Sequence, residues 1–146
     1  MDYNTNFSVN IQVIPHEQQR YPTLGDFWWD EYGNLQIRIS DLGDWRMNMG
    51  VAYHEFMESM FMKYNNISEP EQFTFDNWWE DQYNKGLVTD GSDEPGFSKD
   101  PKNCYRDEHN IADYLEHAFI TRLGVDINKY RKKQESLYHQ NDGGGC

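Results

Sequence analysis

The residue types best suited to chemistry in this chain fall together in His54-Glu55-Phe56-Met57-Glu58. At about 100° per residue, positions four apart on an α-helix share a face, so His54 and Glu58 project together among Met47, Gly50, Val51, Phe61 and Met62. Two polar groups inside an apolar stripe need partners, because burying an unpaired imidazole or carboxylate costs several kcal/mol. A metal ion is one such partner. In the HExxH pattern two ligands four apart grip zinc from one helical face, and the glutamate after the first histidine activates water. Here Glu58 stands at the second ligand position and Glu55 at that of the base. A buried His–Glu pair without metal fits the same stripe.

A third ligand is expected on the helix that opens Tyr105-Arg106-Asp107-Glu108-His109. Its projection places Ile111, Ala112, Leu115 and Phe119 on one stripe, Glu108 within it, and His109 on its flank beside Glu116, while His117 points away. The predicted ligands are therefore His54, Glu58 and His109. Glu108 serves either as a fourth ligand or as the acceptor that fixes an imidazole, with Glu116 in reserve. Two histidines, a glutamate and an open position for water make a catalytic zinc site. Zinc, or another divalent metal, brings the pKa of bound water toward about 7, and Glu55 takes the proton as the water attacks a carbonyl. The expected reaction is hydrolysis of a peptide or amide bond.

The elements that must position these groups are readable from periodicity. Val9, Ile11 and Val13 alternate with polar residues up to Pro15, the pattern of a half-buried strand. Two further strands, near 24–31 and 35–40, flank Tyr32-Gly33-Asn34, a hairpin turn in which Gly33 supplies positive φ. Asp44 caps a helix over about 45–64. Ser68-Glu69-Pro70-Glu71 is a capping box opening a second helix, with Trp78-Trp79, that stops at Gly86. Residues 87–103 read as a long acidic loop, more consistent with a hydrated lid than a calcium site, since Asp90, Asp93, Glu94 and Asp100 miss the EF-hand spacing. Two more helices follow, about 104–123 and, capped by Asp126, about 127–138. The outline is a single α+β domain over 1–140, a small antiparallel sheet followed by about four helices, with a flexible tail at 141–146.

Three stretches, AYHEFMESMFMKYNNIS, DEPGFSKDPKNCYRDEHNIAD and LGVDINKY, resemble in that order a family of small bacteriophage and prophage proteins. That family has an HExxE helix, an EPG-type loop, an EH pair on a helix and an LGV-(D/N)-x-x-Y ending. The resemblance covers roughly residues 35–130 and stops short of segment 1–34 and the Trp78-Trp79 helix. It implies a minimal zincin-like arrangement, functional roles for His54, Glu55, Glu58, Glu108 and His109, and action in the host bacterial cytoplasm.

Composition narrows the remaining classes. With 13 basic and 25 acidic residues among 146, the net charge is −12, which opposes binding to phosphate backbones, so nucleic acid is not an expected partner. No apolar run approaches the roughly 18 residues of a membrane span. The amino terminus lacks a secretory pattern, which favours a cytoplasmic protein. Aromatic residues reach 16%, enough to build a core. Cys104 and Cys146 form no recognisable pairing pattern and read as reduced thiols. His16 and His139, in polar surroundings, read as solvated. The alternative to an enzyme is an acidic interaction protein that blocks a host protein through its charged, aromatic-rich surface.

Overall fold

The computed structural model describes residues 5–87 and 103–144, with side chains as far as Leu137. The acidic stretch 88–102, Cys146 and the side chain of His139 lie outside the described residues. The architecture is α+β. Strands β1 (Val9–Ile14), β2 (Gly25–Trp29) and β3 (Leu35–Ser40) are followed by helices α1 (Trp45–Tyr64), α2 (Glu69–Asn84), α3 (Arg106–Arg122) and α4 (Ile127–Gly144).

Local chemistry accounts for most element boundaries. Gly33 adopts φ +79°, and its N–H donates to the Asp30 carbonyl at 3.0 Å, while the Asp30 carboxylate accepts from the backbone of Tyr32 and Asn34. Only glycine takes that conformation at little cost, so β2 and β3 close as a hairpin. The Asp44 carboxylate accepts from the backbone N–H of Arg46 at 2.9 Å at the start of α1. Hydrogen bonds from the Arg46 side chain, then its backbone, hold that carboxyl below the ordinary range. Ser68 and Glu71 form the reciprocal capping box of α2, and Asp126 accepts from Lys129 N–H at 3.0 Å to open α4. The last helix continues to Gly144, through most of the segment expected as a tail.

The sheet departs from the expected pairing. β2 and β3 run antiparallel with Phe27 opposite Ile37, but β1 pairs with β3 in parallel, Val9 opposite Leu35, so the strand order is β1-β3-β2. The sheet is mixed, and the antiparallel expectation holds for the hairpin alone. Residues 15–24 carry the chain past the central position to the far edge, and the hairpin then fills the centre. Val9, Ile11 and Val13 align with Leu35, Ile37 and Ile39, yet they stay 39, 43 and 42% exposed where their neighbours are at most 1% exposed. An edge strand has a neighbour on one side only, so the half-buried strand read from alternation is largely open.

The expected domain over 1–140 groups its contacts into two compact units, residues 1–57 with 112–146, and residues 58–111. In the first, Leu35, Ile37 and Ile39 of the sheet, Val51 and Ala52 of α1, Ala112 and Ile120 of α3, and Tyr130 and Leu137 of α4 are buried. In the second, Met62, Phe75, Trp79 and Tyr105 are buried, and the Tyr105 hydroxyl donates to Asp76 at 2.5 Å. Trp79 thus faces the core while Trp78 is half-buried, with the two ring centroids 6.2 Å apart. Among the described residues no helix is long and apolar enough to cross a membrane.

His16, expected in solvent, is buried: its Nδ1 lies 2.8 Å from the Ser40 hydroxyl, which also accepts from Gln19 Nε2 at 3.1 Å and donates to the Thr23 carbonyl. The Ser40 hydroxyl, distant in sequence, supplies a partner that permits burial. Burial pushes the imidazole pKa down, opposed by Glu17 and by a hydrogen bond to the Leu137 backbone. The folded protein therefore binds fewer protons at this site than the unfolded chain, so the stabilisation is present above a pH of about 6.5 and lost as pH falls through the folded pKa. Melting temperatures measured from pH 7.5 to 5 should decline, with a shallower decline in His16→Gln. Parallel slopes for the two proteins would assign the pH dependence elsewhere.

Candidate metal centre

In the first unit the close approach of α1 to α3 and α4 depends on Gly50. A Cβ there would lie 2.5 Å from Cδ1 of Ile120 and 2.9 Å from the Tyr130 hydroxyl. One turn further on, the rings of Tyr53 and Phe119 meet with centroids 4.9 Å apart. Next to Tyr53, His54 is brought against the polar residues of α3. Its Nδ1 lies 2.8 Å from Oε1 of Glu116 and 3.2 Å from Oδ1 of Asp113. His54 and Glu116 are buried, and Asp113 is partly open. The other oxygen of Glu116, Oε2, accepts from the Tyr130 hydroxyl at 2.5 Å. Burial first, and then the Glu116 charge, raise the Tyr130 pKa far above its usual value, so the hydroxyl stays protonated and donates. The Glu55 side chain lies across β2, where a Cβ at Gly25 would fall 2.6 Å from its Cγ.

In the second unit the sequence-predicted ligand Glu58 places Oε2 2.8 Å from Nδ1 of His109, and both groups are buried. With Glu58 ionised, Nδ1–H donates to it and Nε2 keeps the lone pair, the arrangement in which a carboxylate sets a histidine tautomer for coordination. Glu108, also buried, accepts from the Asn65 amide at 2.7 Å.

Within the first unit, His54, Asp113 and Glu116 lie together, an imidazole with two carboxylates, residue types that can hold a metal ion. Of these, His54 is a sequence-predicted ligand and Glu116 the reserve, while Asp113 is not among the residues expected from the sequence. The expected ligands Glu58 and His109 pair with each other in the second unit. The reason is legible in α3. Ile111, placed on its apolar stripe, is 51% exposed, and the buried face runs through Tyr105, Glu108, His109, Ala112, Glu116 and Ile120. Half of that face is polar, so apolar periodicity points slightly off it. The available signal for Asp113 is its spacing of four from His109, the same one-turn relation that drew attention to His54 and Glu58.

Compared with protein-family models, curated proteins and solved structures, the chain matches none. The buried Glu58–His109 pair gives a direct test of the local geometry. Glu58→Ala strips the His109 Nδ1 donor of its acceptor and should cost about 1–3 kcal/mol of stability in urea unfolding, and Glu58→Gln, which keeps an acceptor oxygen, should lose less. An unchanged midpoint in Glu58→Ala would show that the pair does not support the fold.

Proposed function

We propose that this protein binds a divalent metal ion, zinc among those its donors suit, through His54 and Asp113 with Glu116 beside His54, and that it hydrolyses a peptide or amide bond with Glu55 as base. The observation that carries this reading is the surroundings of His54, where one imidazole nitrogen has carboxylate oxygens at 2.8 and 3.2 Å. A protonated histidine balances one carboxylate, and here there are two, with Glu116 buried. A divalent cation offsets that excess where a proton does not. The 3.2 Å between His54 Nδ1 and Asp113 also suits neighbouring ligands of one ion, since metal–N and metal–O bonds of about 2.0–2.2 Å would put adjacent donors roughly 3–3.5 Å apart, whereas the 2.8 Å to Glu116 is a hydrogen-bond distance.

An imidazole with carboxylates is among the donor sets that hold a divalent ion, which when bound would acidify water and polarise a carbonyl. The protein's own groups would divide the work. Glu58 would orient His109, Glu116 would steady His54, and Glu55, one residue beyond His54 and on a neighbouring face of α1, would take the proton of the attacking water. The acidic chain disfavours polyanionic substrates. The resemblance of the HExxE, EPG and EH motifs to bacteriophage proteins belongs to this proposal, with a peptide or host protein in the bacterial cytoplasm as the expected target.

Metal analysis of protein purified without a histidine tag should find one zinc per chain in the wild type and none in His54→Ala or Asp113→Ala. A metal-free wild type of undiminished stability would overturn the reading. Glu55→Gln should keep the metal and lose hydrolysis by about 10²–10⁴-fold, whereas unchanged turnover on a casein or peptide-library substrate would remove Glu55 from the role of base.

A further inference from the structure

We propose that Tyr130 is a positioning residue of the metal site, its hydroxyl holding one oxygen of Glu116 so that the other is presented beside His54. The inference rests on the metal-binding reading above and concerns how the site is held in shape.

Tyr130 is 1% exposed, and its hydroxyl donates to Oε2 of Glu116 at 2.5 Å while Oε1 of the same carboxylate lies 2.8 Å from Nδ1 of His54. A glutamate side chain has three rotatable bonds, and ordering it costs entropy that a hydrogen bond to the far oxygen offsets. A phenylalanine would fill the core as well without requiring a partner for a buried hydroxyl, so packing alone gives no reason for tyrosine. The seat around that hydroxyl is also specific. Gly50 stands in the middle of the 20-residue helix α1, where glycine costs about 1 kcal/mol relative to alanine, and a Cβ there would reach within 2.9 Å of the Tyr130 hydroxyl. The helix thus gives up propensity where the Ile120 side chain, at 2.5 Å from such a Cβ, and the Tyr130 hydroxyl both come close.

The test compares wild type, Tyr130→Phe, Glu116→Gln and the double variant, as full chains, by zinc affinity in competition with a chromogenic chelator and by melting of the metal-free forms. Tyr130→Phe should bind zinc about 10–100-fold more weakly. In the Glu116→Gln background it should add no more than about twofold, because the tyrosine acts through that carboxylate. A purely structural tyrosine would lower the melting temperature and leave zinc affinity untouched, which overturns the proposal. Equal loss with and without Glu116 also overturns it. A wild type that binds no zinc removes the metal reading and this inference with it, an outcome seen before any variant is made. If Tyr130→Phe does not fold, Glu116→Gln alone decides: weakened zinc binding with a retained fold supports the proposal, and wild-type affinity overturns it, because the tyrosine acts only through that carboxylate.

Discussion

An imidazole shared between two carboxylates, with one of them buried, is the constraint on which the first unit is organised. Negative charge does not enter a protein interior without compensation. Around His54 the compensation is arranged in layers: Asp113 and Glu116 at its ring nitrogen, and the Tyr130 hydroxyl on the far oxygen of Glu116. Each layer demands the next. Glu116 needs two partners because both of its oxygens are inside, and Ile120 and Tyr130 together come so close to α1 that residue 50 carries no side chain. The helical packing and the polar cluster are therefore joined, since the tyrosine in α4 that lies against Gly50 of α1 also bonds a carboxylate in α3.

The second unit repeats the motif in a simpler form. Glu58 and His109 make a buried pair, and Asn65 meets Glu108. An imidazole paired through Nδ1 to a carboxylate has its tautomer set and its other nitrogen committed to acceptor chemistry. Glu58 is held by that bond to His109 in the second unit, while Asp113 in the first is partly exposed. Carboxylates placed behind an imidazole in this way raise its basicity and fix its direction.

How much of this was legible differs from residue to residue. The helix from Trp45 to Tyr64 and the burial of His54 and Glu58 on it follow from 3.6-residue periodicity, and the structure has both. The capping box at Ser68 and the hairpin at Gly33 are likewise local and appear where the residue types place them. Asp113 was not legible because a face containing Glu108, His109 and Glu116 is only half apolar, which blurs the stripe from which orientation is judged. Nor was His16, whose polar neighbours suggest solvent although one of its nitrogens meets Ser40 from another strand region.

What the amino-acid order determined by itself is therefore everything decided within a turn or a strand: element type, caps, the hairpin, and the one-turn pairing of functional groups on each helix. Steric limits and hydrogen bonds between near neighbours act at that range. The tertiary structure alone decided the parallel pairing of β1 with β3, the exposure of the edge strand's valines, and which carboxylate meets which imidazole. Those outcomes depend on contacts between residues distant in the chain, such as His54 with Glu116 and Glu58 with His109, where the geometry of packing selects among several chemically equivalent partners.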